Sequence, residues 1–249
     1  MTASRTRAPA VLYAKDGPVA IVSLNRPKVL NAYNVEMRDA LFGALTAARD
    51  DTEVRALVLR GNGPAFSAGG DLHEFGSAPS AVVARAARWQ RDVWGTLKAL
   101  PKPTIAAVHG YAVGGGFEMA LLCDLCVAAD DARFALPETG LGMIPGVAGT
   151  QTAARLFGFG RALDLVLTGR TLTAREALQL GLVSRILPRR RLRPEVLALA
   201  HELAGRAPTL LSATKRAVVE GLDRSLAAGL ALEARLARRH RPAPVDSPR

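Results

Sequence analysis

The sequence predicts an α/β protein with a helical C-terminal segment, on three observations. Strand-like and helix-like stretches alternate over the first two-thirds of the chain, glycine clusters fall where strands hand over to helices, and only helical patterns remain from Arg193 onward. The chain has 249 residues, 49% of them hydrophobic, which is enough apolar side chain for one substantial core without cross-links. The expected division is a core over residues 1–190 and a helical segment over 191–249, ending in the Pro-rich stretch "HRPAPVDSPR", which reads as disordered.

The elements follow in order. "MTASRTRAPA" is read as a frayed terminus, since no signal-type apolar region follows it. No apolar run is long enough to cross a bilayer, and the cytoplasm is the default location. "VAIVSLNRP" is a strand closed by Pro27, after which Met37, Leu41, Ala44, Leu45 and Ala48 recur at helical spacing. "RALVLRGNG" is the next strand, and Val82, Ala86, Trp89, Val93, Leu97 and Leu100 form a second apolar stripe. "TIAAVHGYAV" reads as one buried strand leading through three glycines into a helix beginning "FEMALLCD". Thr173-Ala-Arg-Glu176 is a capping-box pattern, and Gly181 ends its helix before a short strand. Leu226, Leu230 and Ala234 form a C-terminal stripe suited to packing against a partner subunit.

Several function classes drop out. Cys123 and Cys126 share a two-residue spacing but lack a second pair, and "LLCDLCVAA" looks like packed core, so neither a zinc site nor a redox role is expected. No phosphate-binding, dinucleotide-binding, zinc-protease or serine-hydrolase motif occurs. The net charge of +11 suits an anionic partner, either nucleic acid or a multiply phosphorylated small molecule. The arginine-dense stretches "PRRRLRP" and "ARLARRHRPAP" carry no interleaved aromatics, so a solvated surface and a loose tail are favoured over a nucleic-acid platform.

Two glycine-bearing turns remain as candidate chemistry. Gly114, Gly115 and Gly116 precede a helix, whose N-terminus offers unpaired N–H groups and the positive end of its dipole. Upstream, "GNGPAFSAGGDLHEF" also follows a strand and keeps the backbone open at Ala68, Gly69 and Gly70. Taken alone, Glu118 reads as a complement to the helix dipole and Glu138 as a loop carboxylate. Together the parts amount to two backbone donors and two carboxylates, a set suited to stabilising an enolate and moving protons.

"AFSAGGDL", "GYAVGGGFEMALLCDL" and "ALPETGLGMIPGVAGTQ" resemble the three signature blocks of the crotonase, or enoyl-CoA hydratase/isomerase, superfamily. "LNRPKVLNAYN" and "ALQLGLVSRI" fit in the same order, so that the resemblance spans roughly residues 11–239. It implies a spiral of ββα units with a helical C-terminal segment that builds trimers, commonly stacked into hexamers. It implies no metal and no cofactor beyond the coenzyme A carried by the acyl-CoA substrate. The implied reaction is addition of water across the 2,3 double bond of an enoyl-CoA.

By that resemblance the oxyanion-hole amides fall on Gly70 and Gly115, and the paired catalytic glutamates on Glu118 and Glu138. Glu118 would take a proton from water attacking the β-carbon, and Glu138 would deliver one to the α-carbon. Ala68, Asp71, Leu72, Gly114 and Gly146 match substrate-binding positions, and Lys28, Val29 and Leu30 match the segment that meets the adenine. "HEFGSAPSA" and the helix of Trp89 and Trp94 are expected to shape the acyl pocket. The chain departs from the pattern at Val147, Ala148 and Thr152, has His73 where lysine is frequent, and lacks the usual final helix. The rival readings are an enoyl-CoA isomerase, a hydratase of cyclic or branched acyl-CoA, and an RNA-binding homologue.

Overall fold

The structure is a computed structural model that describes residues 8–74, 77–80, 82–83 and 90–240. Its main sheet has six strands. β1 (Val11–Asp16) and β2 (Val19–Leu24) form an antiparallel pair, while β3 (Ala56–Gly61), β4 (Thr104–Val108), β6 (Leu125–Ala129) and β9 (Arg185–Leu187) add on in parallel. Across the sheet they lie in the order β1-β2-β3-β4-β6-β9. A second sheet of three short strands holds β5 (Tyr111–Val113), β7 (Arg133–Ala135) and β8 (Leu172–Thr173).

Alternation along the strands fills both faces of the main sheet. Ala20, Val22, Leu24, Leu57, Leu59, Ala106 and Val108 point into the larger core with α1 (Val35–Asp50) and α2 (Val93–Lys98). Val19, Ala56, Val58, Ile105 and Ala107 point the other way, where a later helix covers them. Because both faces are covered, these strands read as near-continuous apolar runs. α1 is capped by Asn34, whose side chain accepts from Met37 N–H, and it buries Met37, Leu41, Ala44, Leu45 and Ala48, as their spacing predicts. The second predicted stripe is seen only in part: α2 buries Val93 and Leu97, and Ala86 and Trp89 lie outside the described residues.

One expectation is corrected. "TIAAVHGYAV" is two strands in two sheets, broken at Gly110. Gly110 has φ 56°, and a Cβ there would lie 2.2 Å from Pro64 O, so the chain turns where only glycine fits. α3 (Gly115–Leu122) follows, then α4 (Gly149–Phe157), α5 (Phe159–Thr168) and α6 (Ala174–Gln179). The α6 N-terminus has the predicted capping box between Thr173 and Glu176.

The helical segment begins as α7 (Arg189–Ala204), and this helix belongs to the body of the molecule. Its Leu192, Val196, Leu199 and Ala200 close the second face of the sheet, because that apolar surface has no other cover. Only α8 (Pro208–Gly221) and α9 (Leu226–Arg239) stand as a separate pair, packed around Ala213, Leu232 and Leu236. Leu226 and Leu230 stay exposed. The stretch "HRPAPVDSPR" falls outside the described residues from position 241 on.

A buried asparagine ties the first loops together. Asn31 is fully buried at φ 57°, a left-handed conformation that Asn adopts more readily than most residues. Its Nδ2 donates to the carbonyl oxygens of Asn62, Ala65 and Phe66, and its Oδ1 accepts from Arg26 N–H. Asn31→Ala strands these groups, so we expect a loss of about 3 kcal/mol in urea unfolding. Asn31→Asp should destabilise as well, because a carboxylate cannot donate to carbonyls.

Candidate active site

The loop after β3 carries the first glycine turn. Ser67 N–H donates to Tyr111 O and Ser67 O accepts from Val113 N–H, which ties the loop to β5. Further along, Tyr33 N–H donates to Gly69 O and Tyr33 O accepts from Asp71 N–H. In such a parallel bridge the residue between the two bonded neighbours turns its own amide to the opposite side, so Gly70 N–H faces away from Tyr33. Gly69 N–H is held by Ser67 Oγ at 3.2 Å.

The second turn comes up against the first. Gly69 has φ 90°, and a Cβ on it would lie 2.6 Å from Val113 O and 3.3 Å from Gly115 N. A Cβ on Gly115 would lie 3.9 Å from Gly70 N. Gly70 and Gly115 therefore sit side by side, and both line one cavity of about 770 Å³ together with Ala68, Glu118, Glu138 and Gly146. The glycines are what let two backbone segments approach this closely.

Glu118 is 2% exposed, inside α3. Its Oε1 accepts three backbone N–H groups, from Val147 at 2.9 Å, Ala148 at 2.9 Å and Gly149 at 2.7 Å. These amides lead into α4, which has no side-chain cap of its own, so the glutamate serves as its cap from a distant helix. With Oε1 occupied as an acceptor, a proton on this carboxyl resides on Oε2. Gly149 keeps this approach open, since a Cβ there would come to 3.0 Å from Glu118 Oε1.

Glu138 is held differently. It opens the 3-10 turn Glu138–Leu141, and its Oε2 is buried with no protein hydrogen-bond partner among the described residues. Burial raises its pKa, and the neighbouring Glu118 adds to the rise. Gly114, at φ 51°, leaves room for it: a Cβ there would lie 2.7 Å from Glu138 Oε1. One carboxylate is thus fixed by three donors, while the other is desolvated, with a buried oxygen that has no protein partner among the described residues.

The remaining predicted positions divide. Leu72 and Gly114 line the cavity, as does Trp94, whose ring packs at a tilt of 41° against Tyr33 with centroids 4.9 Å apart. Trp89 lies outside the described residues. Lys28, Val29 and Leu30 do not line it; they form a turn beside the first glycine loop, where Leu30 O accepts from Ala68 N–H. Asp71 does not line it either, because its carboxylate is engaged by Arg26 at 2.8 Å, a contact that draws its pKa down. His73 is exposed and bonds Asp71. Cys126 is buried, and desolvation pushes its thiol up to about 12, which keeps it unreactive. No three His, Cys, Asp or Glu side chains converge on a metal-sized site among the described residues.

Comparison with known proteins places the chain in a family. The family model for enoyl-CoA hydratase/isomerase matches residues 14–242. The chain belongs to that family. The 2,3-dehydroadipyl-CoA hydratase of Escherichia coli is 41% identical over 91% of this chain and 88% of its own. The short-chain-enoyl-CoA hydratase of Clostridium acetobutylicum is 37% identical over 90% and 86%. An enoyl-CoA hydratase structure from Bacillus anthracis superposes with a TM-score of 0.87 at 34% identity, covering 92% of this chain and 90% of that one. The fold is accordingly the crotonase spiral.

Two expected outcomes follow from the site. Gly114→Ala drives a methyl into Glu138 and strains a left-handed residue, so it should lower both the thermal midpoint and any turnover. For Glu138 the folded pKa lies above the unfolded value. Its stabilising contribution is therefore full below the unfolded pKa of about 4.3 and is lost as pH rises through the folded one. The midpoint of Glu138→Gln should accordingly gain on that of the parent as pH is raised from about 4 to 7.

Proposed function

We propose that the protein hydrates the 2,3 double bond of an enoyl-CoA thioester reversibly, giving a 3-hydroxyacyl-CoA. The observation that carries the reading is the single cavity lined by Gly70, Gly115, Glu118 and Glu138. Two amides beside one another suit a thioester oxygen that gains charge as the enolate forms, a kind of stabilisation worth about 3–4 kcal/mol per donor. Glu118, with one oxygen anchored, orients a water and takes its proton as that oxygen attacks the β-carbon. Glu138, whose raised pKa favours the acid form, gives its proton to the α-carbon. The water supplies hydroxyl and proton, so no other reactant is needed.

The turn of Lys28, Val29 and Leu30, packed beside Ala68, is assigned to the adenine end of coenzyme A on the strength of the resemblance. The exposed Leu226 and Leu230 on α9 support a trimer, or a hexamer of two trimers, in which a neighbouring subunit covers them. The isomerase and RNA-binding readings draw no support from a site that keeps both glutamates beside the paired amides.

The test is loss of the conjugated thioester absorbance with crotonyl-CoA and with longer or cyclic enoyl-CoAs. Glu118→Gln and Glu138→Gln should each lower kcat about 10²- to 10⁴-fold while the fold persists. The parent's kcat/KM should fall as pH rises through the Glu138 pKa, and the Glu138→Gln substitution should abolish that limb. Turnover undiminished in both variants would remove the assignment.

A further inference from the structure

The second face of the main sheet carries a cavity that shares no lining residue with the one described above. It lies between β2, β3 and β4 and helix α7, toward the carboxyl ends of parallel strands, where open α/β sheets take ligands. Its volume is about 210 Å³. The floor is apolar, formed by Ile21, Val58, Ala107, Leu192, Val196 and Leu197. The rim is basic, formed by Arg60, His109, Arg189 and Arg193.

The rim charges are unequally satisfied. Arg189 ion-pairs with Asp131 and also donates to Gly63 O and Pro64 O at 3.3 Å. Arg60 donates through Nε to Ser23 Oγ at 2.8 Å, and this neutral hydroxyl offsets none of its charge. Arg193 makes no ion pair or hydrogen bond among the described residues, and its charge acts on Arg60. Burial, and then Arg193, draw the Arg60 pKa below its ordinary value. His109 donates through Nε2 to Gly63 O at 3.0 Å, and burial lowers its pKa, with Arg189 and Arg60 adding to the effect. The first turn of the 16-residue α7 adds the positive end of its dipole. Asp131 pairs with the Arg189 side chain and Asp130 Oδ1 accepts from Arg189 N–H at 3.2 Å, but no acid pairs with Arg60 or Arg193 among the described residues, so these two guanidinium groups line the cavity without an ion-pair partner.

We propose that this cavity binds a small organic anion, its acidic head held by Arg60 and Arg193 and its apolar body laid on the floor. An apolar cavity of about 150 Å³ takes benzene, so this one suits a body of roughly six to eight carbons. Guanidinium forks match a carboxylate head in two-point geometry. An inorganic ion would satisfy the rim alone and set charged oxygens against aliphatic walls, an unfavourable pairing. Arg189 and Arg193 stand in "PRRRLRP", a stretch read in the sequence as solvated surface; both are exposed, and both also line the cavity.

The test uses the full-length protein and benzoate as the probe, followed by titration calorimetry. Benzoate should bind once per chain, with an affinity that a saturating saturated acyl-CoA leaves unchanged. Arg60→Met and Arg193→Gln should each weaken it at least tenfold without lowering the thermal midpoint. Should Arg60→Met fail to fold, Arg193→Gln, on an exposed side chain, decides alone. No saturable binding, displacement by acyl-CoA, equal affinity for benzyl alcohol or for inorganic phosphate, or unchanged affinity in Arg193→Gln would each overturn the proposal.

Discussion

A single carboxylate oxygen joins the two halves of the candidate site. Glu118 Oε1 receives the amides of Val147, Ala148 and Gly149, and in doing so fastens α3 to the start of α4. Without it three buried or partly buried donors would lose their partner, and α4 has no side-chain cap of its own to replace it. The interaction also sets a rotamer. A glutamate with free torsions has many ways to point, whereas one held by three amides presents its second oxygen in one direction only. Stability and chemistry therefore draw on the same three bonds.

Glu138 stands in contrast to Glu118. Both are glutamates in one cavity, and composition alone makes them equivalent. Their surroundings separate them: one accepts three amides, the other has a buried oxygen with no protein partner among the described residues and lies close enough to the first to feel its charge. Two like charges at close range favour a state in which one of them carries a proton. Burial first, and then the charge of Glu118, raise the Glu138 pKa, so protonation is favoured there. The glycines at 69 and 114 take part by omission, since a methyl on either would enter the space that the paired amides or Glu138 require.

Much of this was legible in the sequence because local rules dominate there. Helix α1, the strands β2 and β3 and the Thr173–Glu176 capping box follow from periodicity and cap chemistry. The paired glycine turns and both glutamates stand in recognisable blocks. What escaped was long-range. Nothing in "TIAAVHGYAV" announces a change of sheet at Gly110, because the clash that demands glycine comes from Pro64, far away in sequence. Asp71 stands in a signature block, yet its partner Arg26 lies 45 residues earlier and takes it out of the cavity. Asn31 reads in the sequence only as part of a motif; its burial and three carbonyl partners appear only once the loop after β3 folds over it. The capping amides of Glu118 likewise come from a segment 29 to 31 residues downstream, beyond the reach of any helical spacing.

The loop from Gly61 to Phe66 links the two faces of the sheet. On the side of the larger cavity, Asn31 holds the carbonyls of Asn62, Ala65 and Phe66. On the other, His109 and Arg189 hold Gly63 O, and Arg189 also holds Pro64 O. Five carbonyls in a five-residue span are thus fixed by three side chains from different elements, which leaves the loop little freedom to shift. Its far end runs into Ser67, Gly69 and Gly70, the last two of which line the larger cavity. A turn rich in glycine and proline has few side-chain anchors of its own. Rigidity here comes from outside, from an asparagine before it and a basic rim behind it.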